Sequence, residues 1–253
     1  GEGTFFSKNP DVVFSGTSSE EEKILMNELR SLWSTIDRKK KISGKDVIFI
    51  QKIRDGEVSV SGGYDLEIRP ERIIISANND EGLFYGVQTL NQIMVSCAGS
   101  ALPCLKIEDY PRFPYRGMHL DVSRHFFDTE FIKKQFDVIA SYKLNRFHWH
   151  LTDGAGWRIQ IKEYPLLTEV AAWRPAPTWK EWWNGNRHYC RQDVPGAYGG
   201  FYTREDIKDV LEYARSKHIT VIPEIEMPGH SEEVLAVYPD LSCSGKPYKN
   251  GEL

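Results

Sequence analysis

The segment HWHLTDGAGW, residues 148–157, alternates between two kinds of side chain before it reaches an acid. Successive side chains of an extended strand point to opposite faces, so His148, His150 and Thr152 share one face. Asp153 follows where such a strand should end. The opposite face would carry Phe147, Trp149 and Leu151. The pattern predicts a strand with one apolar face and one face that presents two imidazoles.

Strands and helices alternate on both sides of this segment. RGMHLDVS (116–123) predicts a strand, and the apolar spacing after Asp128-Thr129 predicts a helix. NRFHWHLT (145–152) is the next strand, REDIKDVLEYARSKH (204–218) the next helix, and ITVIPEIEMPGH (219–230) a third strand that enters a turn. Helical connections of this length predict parallel strands joined by right-handed crossovers.

The first 110 residues predict a separate small α/β domain. Two helices are expected over residues 18–36 and 79–94, with strands over 45–53 and 63–77. The proline-rich connection EDYPRFPYRG, residues 108–117, separates this part from the strand–helix alternation. The expected domains are therefore residues 1–110 and 111–253.

Polar side chains follow all three predicted parallel strands. They are Asp121, Ser123 and Arg124 after the first strand, Asp153 after the second, and Glu224, Glu226 and His230 after the third. Loops at the carboxyl ends of parallel strands carry the chemistry of barrel and open α/β enzymes. Charged residues at strand ends are also common as solvated or capping groups, and we interpret Asp128 and Thr203 that way. For Arg124, Asp153 and His230, which lie on one rim, we favour a functional role.

Three motifs resemble one known family. RGMHLDVSRHFF, KLNRFHWHLTDGAGWRIQI and PEIEMPGHSEEVLAVYP are similar to the first three strand–loop blocks of the family 20 glycoside hydrolases, the β-N-acetylhexosaminidases. The likeness runs from about Tyr115 to Leu241, and the preceding residues resemble the small α/β domain of that family. The resemblance implies an α/β fold, with this small domain followed by part of a TIM (β/α)8 barrel.

The resemblance also implies roles for individual residues. Arg124 matches an arginine that binds the O3 and O4 hydroxyls of the terminal sugar, which suits a planar guanidinium with donors at fixed geometry. Asp153 matches an acid that hydrogen-bonds His230 in a network supporting the general acid. Glu226 stands where many members have Asp, and Gly154 where several have a second Asp.

The paired histidines allow two interpretations. If the strands close into a barrel, His148 and His150 point inward and form hydrogen bonds at the floor of the site. A His-x-His strand end is also how metal-dependent barrel hydrolases begin a metal site. That alternative needs histidines and an acid on later strands, where only His188, His218 and His230 follow. We therefore expect neither a metal nor a cofactor.

Five of the seven tryptophans fall between the second predicted strand and the helix at residue 204. Aromatic faces pack against sugar rings, although a long loop also needs a core of its own. Trp157, close to Asp153, is the candidate for sugar contact. The five are Trp157, Trp173, Trp179, Trp182 and Trp183.

Members of the resembled family hydrolyse terminal N-acetylglucosamine or N-acetylgalactosamine with retention, using the acetamido group of the substrate and an Asp–Glu pair of the enzyme. No Asp directly followed by Glu occurs after Asp109. We therefore expect the N-terminal part of an exo-acting β-N-acetylhexosaminidase, inactive alone, whose partners are the remainder of the barrel and a terminal N-acetylhexosamine. A non-catalytic sugar-binding or interaction domain is the alternative.

Composition excludes some classes of partner. A net charge of −4 gives no basic footprint for nucleic acid, and no apolar run approaches a membrane span of roughly 20 residues. The four cysteines fit either two disulfides of an exported protein or four buried thiols. Glycan substrates predict a periplasmic or extracellular location, with any signal peptide removed before residue 1.

Overall fold

The computed structural model describes residues 3–31, 33, 37–38, 46–53, 60–98 and 100–246. Parts of the predicted helix at 18–36 and strand at 45–53, and residues 247–253, lie outside them. The chain divides into two units: unit 1 comprises Gly1–Arg116, Ile139–Leu144 and Ser216–His218, and unit 2 comprises Gly117–Val138, Asn145–Arg215 and Ile219–Leu253.

Unit 1 contains a mixed six-stranded sheet in the order β3-β2-β4-β6-β5-β8. Strands β3, β2, β4 and β6 are mutually parallel, while β5 pairs antiparallel with both β6 and β8. A two-stranded ribbon joins β1 to β7. The bounds are β1 Thr4–Phe5, β2 Asp11–Ser15, β3 Asp37–Arg38, β4 Val47–Lys52, β5 Tyr64–Arg69, β6 Arg72–Ala77, β7 Leu102–Pro103 and β8 Leu105–Asp109.

The two helices of unit 1 are α1, Ser19–Arg30, and α2, Asp80–Ser96. Each begins after a side-chain cap, because Ser18 Oγ accepts a hydrogen bond from Glu21 N and Asn79 Oδ1 accepts one from Gly82 N. Helix α2 packs tightly on β6, since a Cβ at Gly86 would lie 2.5 Å from Ile75 Cγ2. The core is built from buried β-branched and leucine side chains, including Ile48, Ile50, Leu66, Ile73, Ile75, Leu83 and Leu90.

Unit 2 is built on a parallel three-stranded sheet in the order β15-β10-β9. In its register His148 pairs with His119 and Ile222, and His150 pairs with Asp121 and Glu224. The elements from residue 117 onward are β9 Gly117–Asp121, α3 Thr129–Ser141, β10 Arg146–His150, β11 Thr152–Asp153, β12 Gly156–Trp157, α4 Leu166–Glu169, β13 Trp173–Arg174, α5 Trp179–Asn184, β14 Tyr198–Gly199, α6 Arg204–Ser216, β15 Thr220–Glu224, α7 Glu232–Val237 and a 3₁₀ turn at Pro239–Leu241.

The predicted alternation along β10 is confirmed. Phe147 and Trp149 are buried, and Phe147 meets Phe136 of α3 edge-on with ring centroids 4.9 Å apart. The helix starts are also confirmed, since Asp128 accepts a hydrogen bond from Phe131 N and Thr203 accepts one from Asp206 N. The imidazoles of β10 therefore occupy the face opposite the helices.

The long aromatic segment after β10 contains more structure than the sequence predicted. It holds two short helices and two antiparallel ribbons, and a capping box of Thr178 and Glu181 starts α5. Trp157 is 4% exposed and its indole N–H donates to Ile159 O. It belongs to a buried cluster, so its surroundings favour packing over direct contact with a sugar. Other members of the cluster are Leu167, Val170, Ala171, Trp182, Tyr189 and Val237.

Two further findings concern the described residues. All four cysteines lie among them as free thiols. Cys97, Cys104 and Cys190 are partly buried and Cys243 is exposed, so neither two disulfides nor four buried thiols describe them. Of the helices described, none combines the length and the apolar character that crossing a membrane requires.

Candidate active site

The carboxyl ends of the three parallel strands lie side by side. In the sheet register Asp121, the last residue of β9, pairs with His150, the last residue of β10, and His150 pairs with Glu224, the last residue of β15. Loops that follow these ends carry Arg124, Asp153 and Glu226. The alternation of strands and helices therefore brings the predicted polar residues to one edge of one sheet.

Arg124 lies between two carboxylates from different strands. Its Nη1 is 2.8 Å from Asp121 Oδ2, and its Nη2 is 2.7 Å from Asp153 Oδ2. Asp121 Oδ1 also accepts hydrogen bonds from the backbone N–H groups of Ser123 and Arg124, which fixes the start of the loop. These ion pairs use two of the five guanidinium donors, so the half-buried side chain keeps others for a ligand.

Asp153 is the centre of the cluster. Its Oδ2 lies 2.8 Å from His230 Nδ1 and 3.4 Å from His150 Nε2, in addition to the contact with Arg124. Its Oδ1 accepts a hydrogen bond from Gly154 N at 2.8 Å. Burial raises the pKa of Asp153 above its usual value, although the charges of Arg124 and His230 oppose the rise. The structure thus brings Arg124, Asp153 and His230 together.

Glu226 lies near the Asp153 cluster but forms no hydrogen bond with His230. Its Oε1 is 3.8 Å from His230 Nδ1, beyond hydrogen-bonding distance, and its backbone N–H donates to Thr152 Oγ1 at 2.8 Å. Thr152 shares the face of His148 and His150, so this bond ties the loop after β15 to the end of β10.

Three imidazoles converge on one carboxylate oxygen below Asp153. Glu224 Oε2 lies 2.5 Å from His148 Nε2, 3.1 Å from His150 Nδ1 and 3.8 Å from His119 Nε2. Burial favours a raised pKa for Glu224, but His150, Glu226 and His148 together hold that pKa below its usual value. Sequence reasoning did not single out His119. The register of β9 against β10, which sets His119 beside His148, is the signal that would have found it.

Arg158 was also missed, and it binds the backbone beneath the site. Its guanidinium is fully buried, with Nε donating to Val122 O, Nη2 to Ser123 O, and Nη1 to both Ala172 O and Gly200 O. The available signal was its position between two apolar residues, Trp157 and Ile159. Because Val122 and Ser123 directly precede Arg124, the Arg158 side chain fixes the loop that carries Arg124.

Arg174 of β13 is a second buried arginine that donates hydrogen bonds to backbone carbonyl groups. Its Nη2 donates to Arg124 O at 2.8 Å, its Nη1 to Ala155 O at 2.9 Å and its Nε to Ala176 O at 3.0 Å. Burial lowers the pKa of Arg174. The backbone of Arg124 is therefore held by a second buried cation, in addition to the contacts of its own side chain.

The glycine after Asp153 has a packing reason. A Cβ at Gly154 would lie 2.5 Å from Glu232 Oε2, and Tyr189 Oη donates to Gly154 O. A second acid at this position would meet Glu232 at close range. The side chain of Glu232 therefore occupies the space that any larger residue at position 154 would need.

Glu233 of α7 is a carboxylic acid with no exposed surface. Neither side-chain oxygen receives a hydrogen bond from the described residues. Burial raises its pKa well above the usual value, and the neighbouring Glu232 and Asp153 raise it further. The acid is therefore kept in its neutral form over a wider pH range than in the unfolded chain.

We expect Glu233→Met to stabilise the fold at pH 7 by about 1–3 kcal/mol, because it removes a buried polar group without partners. The native pKa lies above the unfolded value of about 4.3, so the present acid costs stability progressively as pH rises through that window. Urea midpoints at pH 4 and pH 7 should therefore differ more for the parent than for the variant. Glu163→Met, at an exposed position, is the control, and an equal gain at both pH values would contradict the prediction.

Comparison with known proteins agrees with this geometry. The domain 2 model of glycosyl hydrolase family 20 matches residues 4–110, and the catalytic domain model of that family matches residues 113–252. A beta-hexosaminidase of Porphyromonas gingivalis is 42% identical over 196 residues, which are 74% of this chain and 23% of that protein. This chain therefore spans about a quarter of that relative.

Solved structures give the same result for the fold. A beta-N-acetylhexosaminidase from Bacteroides fragilis superimposes with a TM-score of 0.80 at 32% identity, over 99% of this chain and 47% of that one. An exo beta-N-acetylglucosaminidase from Vibrio harveyi, in complex with N-acetylglucosamine, gives 0.77 at 33% identity, over 95% and 36%. The predicted fold class, a small α/β domain followed by part of a (β/α)8 barrel, is confirmed. The chain belongs to glycosyl hydrolase family 20.

Proposed function

We propose that the protein is an exo-acting, retaining β-N-acetylhexosaminidase that removes terminal N-acetylglucosamine or N-acetylgalactosamine from glycans. One observation carries the proposal: the same oxygen of Asp153 contacts both the Arg124 guanidinium and the His230 imidazole. A group that binds sugar hydroxyls is thereby connected to a group that can orient an acid. The related Vibrio harveyi enzyme, which binds N-acetylglucosamine, supports this choice of substrate.

Asp153 contacts two groups to which we assign different roles, Arg124 for binding the sugar and His230 for positioning the general acid. On one side Arg124, held by Asp121 and Asp153, offers its remaining donors to neighbouring hydroxyls of the terminal ring. On the other side Asp153 fixes the ring of His230, which is 60% exposed. We propose that His230 positions the general acid, as the family resemblance implies.

In the proposed reaction the substrate supplies the nucleophile, and two carboxyl groups of the enzyme assist it. In the proposed mechanism the acetamido oxygen attacks the anomeric carbon, one acid orients the acetamido group, and another protonates the leaving oxygen. Residues 110–253 contain no Asp directly followed by Glu, the pair that the resemblance assigns to these roles. We therefore propose that residues 1–253 alone do not hydrolyse the substrate and that the remainder of the barrel supplies the pair. Turnover by residues 1–253 alone would contradict this part of the proposal.

The proposed substrates also suggest where the protein acts. Glycans with terminal N-acetylhexosamine are met mainly outside the cytoplasm, so we propose a periplasmic or extracellular location. Fractionation of the source cells tests it, and activity confined to the cytoplasm would contradict it.

Arg124→Lys tests the sugar-binding role in the intact protein. Lysine keeps the charge but loses the planar set of donors, so we expect kcat/KM for an aryl N-acetylglucosaminide to fall roughly 10- to 150-fold. This corresponds to about 1.5–3 kcal/mol, the range for hydrogen bonds to charged groups. Arg191→Lys, at an exposed ion pair with Glu169, is the matched control. An unchanged kcat/KM would remove Arg124 from the site, and tight sugar binding without any turnover would favour a non-catalytic sugar-binding domain.

A further inference from the structure

The inner face of the parallel sheet carries a second group of polar side chains, below the proposed sugar site. His119 comes from β9, His150 from β10 and Glu224 from β15, so each of the three strands contributes one residue. One nitrogen or oxygen of each side chain lies within 4.8 Å of those of the other two. Sets of two imidazoles and one carboxylate are a common ligand set for zinc.

The distances suit a single ion. Two ligands at zinc bonding distance in a tetrahedral arrangement lie about 3.4 Å apart. Glu224 Oε2 is 3.1 Å from His150 Nδ1 and 3.8 Å from His119 Nε2, values on either side of that separation. Small shifts of side chains would therefore bring all three atoms onto one ion, with a water molecule as the fourth ligand.

In metal sites, a ligating histidine usually donates its second ring N–H to a carboxylate or a carbonyl group, and His150 has such a partner. His150 Nε2 faces Asp153 Oδ2 at 3.4 Å, which favours a proton on Nε2 and leaves the Nδ1 lone pair for a metal. His148 Nε2 is 2.5 Å from Glu224 Oε2. That separation is shorter than two ligands of one ion allow, so His148 suits the role of a hydrogen-bond donor that orients the carboxylate.

We propose that His119 Nε2, His150 Nδ1 and Glu224 Oε2 form a binding site for a divalent transition-metal ion such as Zn²⁺ or Cu²⁺. Imidazole nitrogens select these ions over Mg²⁺ and Ca²⁺, which prefer oxygen ligands.

The site is connected to the proposed active site through His150. A bound cation makes the imidazole a stronger N–H donor toward Asp153. Because His150 and His230 share the same oxygen of Asp153, a stronger bond to His150 weakens the hold on His230. We therefore expect metal binding to inhibit the enzyme, an effect that rests on the function proposed above.

Binding is measured first, without reference to activity. After treatment with a chelator, the intact protein is dialysed against a series of buffered free Zn²⁺ concentrations in the presence of excess Mg²⁺, and bound zinc is determined by elemental analysis. We expect one equivalent for the parent and an affinity at least about tenfold weaker for His119→Gln and for Glu224→Gln. His188→Gln, in a loop of the same unit, is the control and should bind like the parent.

Spectra identify the ligands if Glu224→Gln folds poorly. Electron paramagnetic resonance of bound Cu²⁺ should show two coordinating nitrogens in the parent and one in His119→Gln. Binding and spectra unchanged by His119→Gln would overturn the proposal, as would the absence of bound zinc in the parent. Loss of zinc in Glu226→Gln, with His119→Gln unaffected, would also overturn it and place the ion at the other candidate set, His150, Asp153 and Glu226.

Inhibition is the final measurement. Zn²⁺ should lower kcat/KM of the parent. The kcat/KM of His119→Gln, expressed relative to its own value without Zn²⁺, should need at least about tenfold more Zn²⁺ for the same fractional loss. Equal sensitivity of parent and variant would overturn the coupling. A protein without turnover would count against the proposed function and leave the binding result standing.

Discussion

Asp153→Asn is expected to lower kcat/KM roughly 10²–10³-fold while leaving the fold intact. The cost corresponds to about 3–4 kcal/mol, in the lower part of the range for removing one partner of a buried ion pair. The lower part applies because the two side chains in closest contact with Asp153 Oδ2, those of Arg124 and His230, are partly exposed.

The reason lies in the number of donors that meet this carboxylate. Oδ2 faces Arg124, His230 and His150, while Oδ1 accepts the Gly154 N–H. An asparagine must place its amide N–H₂ toward one of these two sets, so donors face donors in either orientation. The negative charge that balances the cations is lost as well.

Kinetics and binding together separate this role from a structural one. We expect two losses when both quantities are measured well below the melting temperature of the variant. The kcat for an aryl N-acetylglucosaminide should fall because His230 is no longer oriented, and the affinity for N-acetylglucosamine should fall because Arg124 is no longer held. Asp128→Asn, at the cap of α3 and outside the cluster, is the matched control and should keep full activity. Full activity of Asp153→Asn would show that Asp153 is only a loop acid.

Side-chain periodicity predicted the parts of the fold that repeat. The alternation along β10 correctly assigned Phe147 and Trp149 to the helix-facing side and His148 to the other. Parallel pairing followed from helical connections, because strands joined by crossovers run in one direction. Parallel strands end at the same edge, so the proximity of Arg124, Asp153 and His230 could be predicted before any distance was known.

Contacts between distant segments were not predictable in this way. The sequence shows Arg158 as a charge beside an aromatic residue, which is typical of an exposed position. Its burial depends on four carbonyl groups from the segments at residues 122–123, 172 and 200, whose meeting is a property of the folded loops. His119 was missed for a related reason, because its partners are set by strand register and not by spacing along the chain.

The second large effect is expected for Arg158→Lys, which should destabilise unit 2 by about 3–5 kcal/mol. Lysine has three donors on one atom and cannot reach carbonyls that lie in four directions, so at least two buried acceptors lose their partners at about 1–3 kcal/mol each. Burial, and then the neighbouring Arg174, lowers the pKa of Arg158 to about 10, so arginine still carries its charge at neutral pH.

Thermal unfolding measures the effect, which should appear as a fall in melting temperature of about 6–20 °C. Arg191→Lys, an exposed position, should change it little, since surface substitutions stay within about 0.5 kcal/mol. Below the melting temperature the variant should also lose affinity for N-acetylglucosamine. The carbonyl groups of Val122 and Ser123, which directly precede Arg124, no longer have the guanidinium that holds them. A variant as stable as the parent would mean that water replaces the guanidinium at these carbonyls. Arg158 would then be dispensable to the loop that carries Arg124.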